Sequence, residues 1–212
     1  REGEGVGAFY GFLKNGYDER GEEVYKDLNA DGLINEKDKV IIGDPNPDFI
    51  YGLNSYMSFG GFELTLFFQG SHGNDLACIG LIDNTIDLAG GTNLLKEVVN
   101  DHWTPQNTNA KYPRLSRSRN MQFSDRFIED GSYLRLKNIE LAYNLPVKPL
   151  NIDWMRSLRI YASAQNYLTF TKYSGWDPEV NSSGGTSSFA QGHDHYSYPT
   201  AKSITFGINV GF

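Results

Sequence analysis

The closing stretch of the chain, Lys202-Ser203-Ile204-Thr205-Phe206-Gly207-Ile208-Asn209-Val210-Gly211-Phe212, admits very few structures. From Ile204 every second residue is large and apolar (Ile204, Phe206, Ile208, Val210, Phe212), and the residues between are small or polar. A strand sends successive side chains to opposite faces, so the segment predicts a strand with one greasy and one wet face. At about 3.3 Å per residue such a strand is roughly 36 Å long. Tilted by about 45° it rises roughly 25 Å, the height of the apolar band of a membrane β-barrel.

Composition permits that reading. Aromatic residues make up 14% of the chain, glycines number 23, and 39% of residues are hydrophobic. The mean hydropathy is negative, which a barrel tolerates because only alternate strand residues face lipid and the long loops are polar. No run of about 18 apolar residues exists, which excludes a transmembrane helix. A net charge of −7 with no Lys/Arg cluster excludes nucleic acid as a partner. The single cysteine, Cys78, excludes an intrachain disulfide framework and any metal site built on several thiolates. The N-terminus carries neither an initiator Met nor a secretory leader pattern, so the sequence is expected to begin partway through a longer protein.

Six segments read as strands: Val6 to Leu13, Phe49 to Phe59, Phe62 to Phe68, Tyr133 to Leu145, Leu158 to Thr171 and the terminal stretch. Tyr, Phe, Ile and Thr dominate them, as strand propensity requires. Gly60-Gly61 joins the second and third as a two-residue hairpin. Pro146 to Ser157 joins the fourth and fifth, whereas residues 14–48, 69–132 and 172–201 form long connections. Alternating long and short connections are the rhythm of an outer-membrane barrel, with short periplasmic turns and long extracellular loops. Membrane barrels need about eight strands to close, and an open sheet in lipid leaves unsatisfied backbone groups at several kcal/mol each. The expected fold is therefore all-β, about six antiparallel strands of a large transmembrane β-barrel, with residues 1–212 as its C-terminal portion.

A second pattern is chemical. Asp27-Leu28-Asn29-Ala30-Asp31-Gly32-Leu33-Ile34-Asn35-Glu36-Lys37-Asp38 places oxygen side chains at the first, third, fifth, ninth and twelfth positions of a loop, with Gly32 at the sharp turn. Calcium takes six to eight hard oxygens. Asp27, Asn29, Asp31 and Asp38 are expected to supply side-chain oxygens, Leu33 its carbonyl, and Asn35 a direct or water-bridged contact. Asp38 stands where an EF-hand has Glu, and dockerin-like calcium loops resemble this pattern. Gly16, Gly21 and the charges of Asp18 to Glu23 leave no amphipathic helix before Asp27. The expectation is a single structural ion at 27–38, within an extracellular loop.

With these segments assembled, the chain resembles the C-terminal end of SusC/RagA-type TonB-dependent transporters of Bacteroidota. The resemblance is carried by Tyr25 to Gly32, Ile41 to Phe49, Tyr51-Gly52-Leu53, Leu66 to Ser71, Trp103 to Asn107, Ala110 to Leu115, Tyr133 to Asn138, Gln165 to Phe170 and Gly211-Phe212. It implies a 22-stranded barrel with a plug, sited in the outer membrane. Such a barrel imports oligosaccharides or peptides with energy from TonB, under a SusD-like lipoprotein lid. The plug and the segment that meets TonB have no counterpart here. The aromatic end resembles the signal read by the barrel-assembly machinery, which assigns Phe212 to that contact.

Enzymatic chemistry is not indicated. The chain has no Gly-x-Ser-x-Gly, P-loop or His-Glu-x-x-His motif. His193-Asp194-His195 reads as a solvated loop rather than a metal site, and Asp177 and Glu179 as backbone-bonding carboxylates rather than a catalytic pair. Trp103, Trp176, Tyr196 and Tyr198 are loop aromatics suited to packing or to stacking on sugar rings. Arg114 to Arg119 is a solvated or lid-contacting stretch, and residues 180–190 a flexible Ser/Gly-rich link. The rival reading is a soluble, secreted β-sandwich binding module with a dockerin-like calcium loop.

Overall fold

The structure is a computed structural model and describes residues 3–80, 93–117, 121–147, 149, 154–180 and 191–212. The chain divides into two compact units. One comprises Asp48–Gly73, Ser132–Lys172 and Pro199–Phe212; the other comprises Arg1–Pro47, Asn74–Gly131 and Tyr173–Tyr198. No helix among the described residues is long and apolar enough to cross a membrane.

The second unit holds β1 (Phe9–Gly11), β2 (Lys14–Tyr17), β3 (Glu23–Tyr25), β4 (Val40–Gly43), β7 (Asp75–Cys78), β8 (Ile128–Asp130) and β11 (His193–Asp194). The first holds β5 (Phe49–Phe59), β6 (Phe62–His72), β9 (Tyr133–Leu145), β10 (Ser157–Thr171) and β12 (Ser203–Gly211) in one antiparallel sheet, ordered β12-β10-β9-β6-β5. Five of the six expected segments are the strands of this sheet. The sixth, around Val6 to Leu13, supplies instead the short β1, which pairs with β4 in a small sheet of its own.

Register explains the faces of the large sheet, because residues directly opposite one another share a face. One row runs Ile208, Ile160, Tyr143, Phe62, Phe59, and the next runs Phe206, Ala162, Leu141, Leu64, Met57. These apolar rows are open to the surroundings: Phe59 is 89% exposed and Phe206 is 79% exposed. The opposite face carries Thr205, Ser163, Glu140 and Thr65 in one row. There Arg159 donates through Nε to Glu63 at 3.2 Å and through Nη2 to Glu140 at 2.6 Å, and Asn144 donates to Glu63 at 2.7 Å.

Two irregularities keep the faces in phase. The ladder between β9 and β10 slips between Gln165 and Leu168, and that between β6 and β9 slips between Phe67 and Phe68. The second sets one extra residue, Lys137, on β9 and reverses the parity of that strand beyond it. The first sets two residues of β10, Asn166 and Tyr167, opposite Lys137 and leaves the parity of β10 unchanged. Leu168 and Phe170 thereby stay on the face of Ile160, and Leu136 stays on the face of Ile139. Asn166 occupies the left-handed region at φ 54°, and its Nδ2 donates to the Ala201 carbonyl at 3.1 Å. Asn tolerates this conformation better than other non-glycine residues.

The two short connections lie at one end of the sheet, where Phe59 meets Phe62 and Leu145 meets Leu158. At that end Trp154 stacks on Phe212 with ring centroids 5.6 Å apart, and both rings are exposed. The edges of the described sheet are β5 and β12.

In the other unit, β11, β7 and β8 form a three-stranded sheet, and β2 pairs with β3. Leu76, Cys78, Tyr173 and Val180 cluster in its core, and Phe9, Phe12, Val98 and Phe127 are buried as well. Trp103 is buried where Gly21, at φ 77°, leaves room; a Cβ there would collide with the indole. Glu23 is buried with Arg126 Nη1 at 3.8 Å, Lys14 Nζ at 3.9 Å and a hydrogen bond from Tyr25.

Candidate functional sites

The loop Asp27 to Asp38 links β3 to β4 and is organised by its own carboxylates. The Gly32 N–H donates to Asp27 Oδ2 at 2.8 Å, which Gly32 permits by sitting at φ 80°. Asn29 Oδ1 accepts from the Asp31 N–H, and Asp31 Oδ1 accepts from the Leu33 N–H. The Leu33 carbonyl accepts from Asn35 Nδ2 at 3.1 Å. Asn35 caps a short 3-10 turn, Glu36–Asp38, accepting from the Lys37 N–H.

Asp38 closes the loop. It is fully buried, and its two oxygens accept from the N–H groups of Leu28 and Asn35, at 2.9 and 2.8 Å. The Asn35 N–H is the main cause that holds its carboxyl below the ordinary carboxylate value, with burial opposing and Leu28 and Asn29 assisting. Oδ1 of Asp27 is also buried, yet it has no hydrogen-bond partner. The six residues expected as ligands therefore form one ordered turn. Among the described residues no group of three or more His, Cys, Asp or Glu side chains converges as a metal cluster.

The loop aromatics separate into two kinds. Trp103 is packing, whereas Trp176 is 73% and Tyr198 90% exposed. Trp176 and Tyr196 line a cavity of about 290 Å³ together with Cys78, Leu95, Ser197 and Asp194. Asp194 is buried; its Oδ2 accepts from the Tyr173 hydroxyl and its Oδ1 from the Ser197 N–H. Tyr196 stands in the left-handed region at φ 60°. The cavity sets the exposed Trp176 indole beside the hydroxyl-bearing Ser174, Tyr196 and Ser197.

His193 packs edge-on against Phe9, and burial lowers its pKa below the ordinary histidine value. Asp177 is buried and accepts from the Glu179 N–H. Arg114 lies 3.6 Å from Glu22; Ser118 and Arg119 lie outside the described residues, as do residues 181–190 of the Ser/Gly-rich link. Sequence reasoning missed the Arg159–Glu63–Glu140 network and the pairing of Ser174 with Glu129. Both join residues too distant in the chain for any local pattern to reveal.

An antiparallel sheet, apolar and exposed on one side and polar on the other, defines a piece of a membrane β-barrel wall. No protein-family model matches the chain. It is 37% identical to TonB-dependent receptor P3 of Formosa agariphila over 231 residues, covering 100% of this chain and 23% of that protein. It is 33% identical to TonB-dependent receptor P26 of the same species, covering 91% of this chain and 20% of that protein. It is 29% identical to the TonB-dependent receptor SusC of Bacteroides thetaiotaomicron, covering 92% of this chain and 18% of that protein. The fold superposes on the RagAB peptide transporter with a TM-score of 0.82 at 25% identity, covering 97% of this chain and 22% of that one. Over its whole length the chain matches a part of SusC/RagA-type TonB-dependent receptors. It spans 18–23% of the length of these curated relatives.

Proposed function

We propose that this chain forms part of the wall and loops of an outer-membrane nutrient importer, TonB-dependent and served by a SusD-like lipoprotein. The observation that carries the reading is the continuous, exposed apolar face of the five-stranded sheet, backed by the Arg159–Glu63–Glu140 network on the other face. A hydrocarbon environment requires every backbone polar group to be satisfied within protein, so β5 and β12 pair with further barrel strands. TonB acts through parts of the importer outside this sequence. Phe212, stacked on Trp154 among exposed aromatics, suits the interfacial belt and the contact with the assembly machinery.

The substrate is a glycan or a peptide, and the cavity beside Trp176 and Tyr196 is its contact among the described residues. No reaction chemistry is assigned to the chain; the relatives are named receptors and importers. The reading is tested by deleting the whole receptor gene in its native host and measuring uptake of labelled oligosaccharides and oligopeptides. Loss of uptake of one class, together with recovery of a lipoprotein partner by affinity purification of the intact receptor, is expected. Unchanged uptake of every substrate would overturn it.

A further inference from the structure

We propose that the loop Asp27 to Asp38 binds a single Ca²⁺ that fixes the connection between β3 and β4. Asp27 spends Oδ2 on the Gly32 N–H, and its Oδ1 is buried without a hydrogen-bond partner. A buried carboxylate oxygen left so costs free energy unless a cation or proton meets it. Asp38, fully buried at the other end of the loop, has no Lys, Arg or His within ion-pair distance among the described residues, nor have Asp27 and Asp31. Three carboxylates in one turn, two of them with buried oxygens, lack a protein counter-charge.

The carboxylates of Asp27, Asp31 and Asp38 do not converge as a cluster by themselves; the remaining donors are hard oxygens of the kind calcium takes. Asn29 Oδ1, the second oxygen of Asp31 and the Leu33 carbonyl come from alternate positions of the same turn. With Asp27 Oδ1, a lone pair of Asp38 and Asn35 or its water they complete six oxygen donors, the number calcium accepts in flexible geometry. Magnesium demands a near-ideal octahedron and retains its waters, which suits this irregular set less. Each oxygen of Asp38 already takes one N–H, so this residue ties both ends of the loop, Leu28 and Asn35, to the ion. The ion's role is structural: it neutralises the turn that delivers β4 to its partner β1.

The test uses the full-length receptor in detergent, stripped with EGTA and dialysed against Ca²⁺ or Mg²⁺. Asp27→Asn with Asp31→Asn keeps the oxygens that bond Gly32 and Leu33 but removes two charges. The wild type is expected to retain one more Ca²⁺ per chain than the double variant, by elemental analysis. Limited proteolysis of the wild type alone supplies a second reading that needs no variant. Cleavage between residues 27 and 38 is expected to rise in EGTA and fall again with Ca²⁺ but not Mg²⁺. Equal Ca²⁺ content in the two proteins, or cleavage indifferent to Ca²⁺, would overturn the assignment and leave the turn held by hydrogen bonds and a buried water.

Discussion

The ring of Tyr161 lies across the backbone of Gly207, its cross-strand partner, so closely that a Cβ at Gly207 would collide with it. Arg159 in turn stands over the Tyr161 ring, 5.3 Å from its centroid. The missing side chain of one strand is thus filled by an aromatic from the next. Gly207→Val is expected to displace Tyr161 and destabilise the barrel by about 1–3 kcal/mol, the usual cost of overpacking. Gly207→Val paired with Tyr161→Ala should recover part of that loss. Thermal unfolding of the full-length receptor in detergent measures both.

Asn166 carries the left-handed turn of the β10 bulge. A β-branched residue there meets the steric cost of that conformation, about 1–2 kcal/mol. Asn166→Val is therefore expected to lower the unfolding midpoint, whereas Asn166→Gly should leave it nearly unchanged despite losing the bond to Ala201. Equal behaviour of the two variants would mean that the bulge does not set the strain.

His193 supplies a pH signal. Burial depresses its folded-state pKa below 6.5, so the unfolded chain binds the proton more readily. Its stabilising contribution is complete above pH 6.5 and is lost as the pH falls through the lower folded value. The wild type should therefore lose more stability between pH 7.5 and 5.5 than His193→Gln. Parallel melting curves for the two proteins would contradict this.

Much of the sheet was legible because alternation is a local property. The rows of β12 and β6 follow directly from every second residue, and Gly60-Gly61 marks the hairpin that joins β5 to β6. The phase of β9 was not legible, since the extra residue Lys137 reverses parity between Ile139 and Leu136 and nothing in Leu136-Lys137-Asn138 announces it. The segment around Val6 was read as a barrel strand from its aromatics; β1 instead turns its buried Phe9 into the core of the other unit. Trp103 and Trp176 look alike in sequence, but Gly21, remote in the chain, opens a slot for Trp103 alone of the two. The calcium-type loop was legible as a spacing, but the buried, partnerless Asp27 Oδ1 required the fold.

The central claim is that one face of this sheet meets lipid. Nitroxide labels placed singly at residues 203 to 210 of the full-length receptor in bilayers test it most directly. The account predicts an alternation: labels at 204, 206, 208 and 210 collide with dissolved oxygen, and those at 203, 205, 207 and 209 with a water-soluble nickel complex. Uniform accessibility to the nickel complex along the strand, or alternation in the opposite phase, would contradict it.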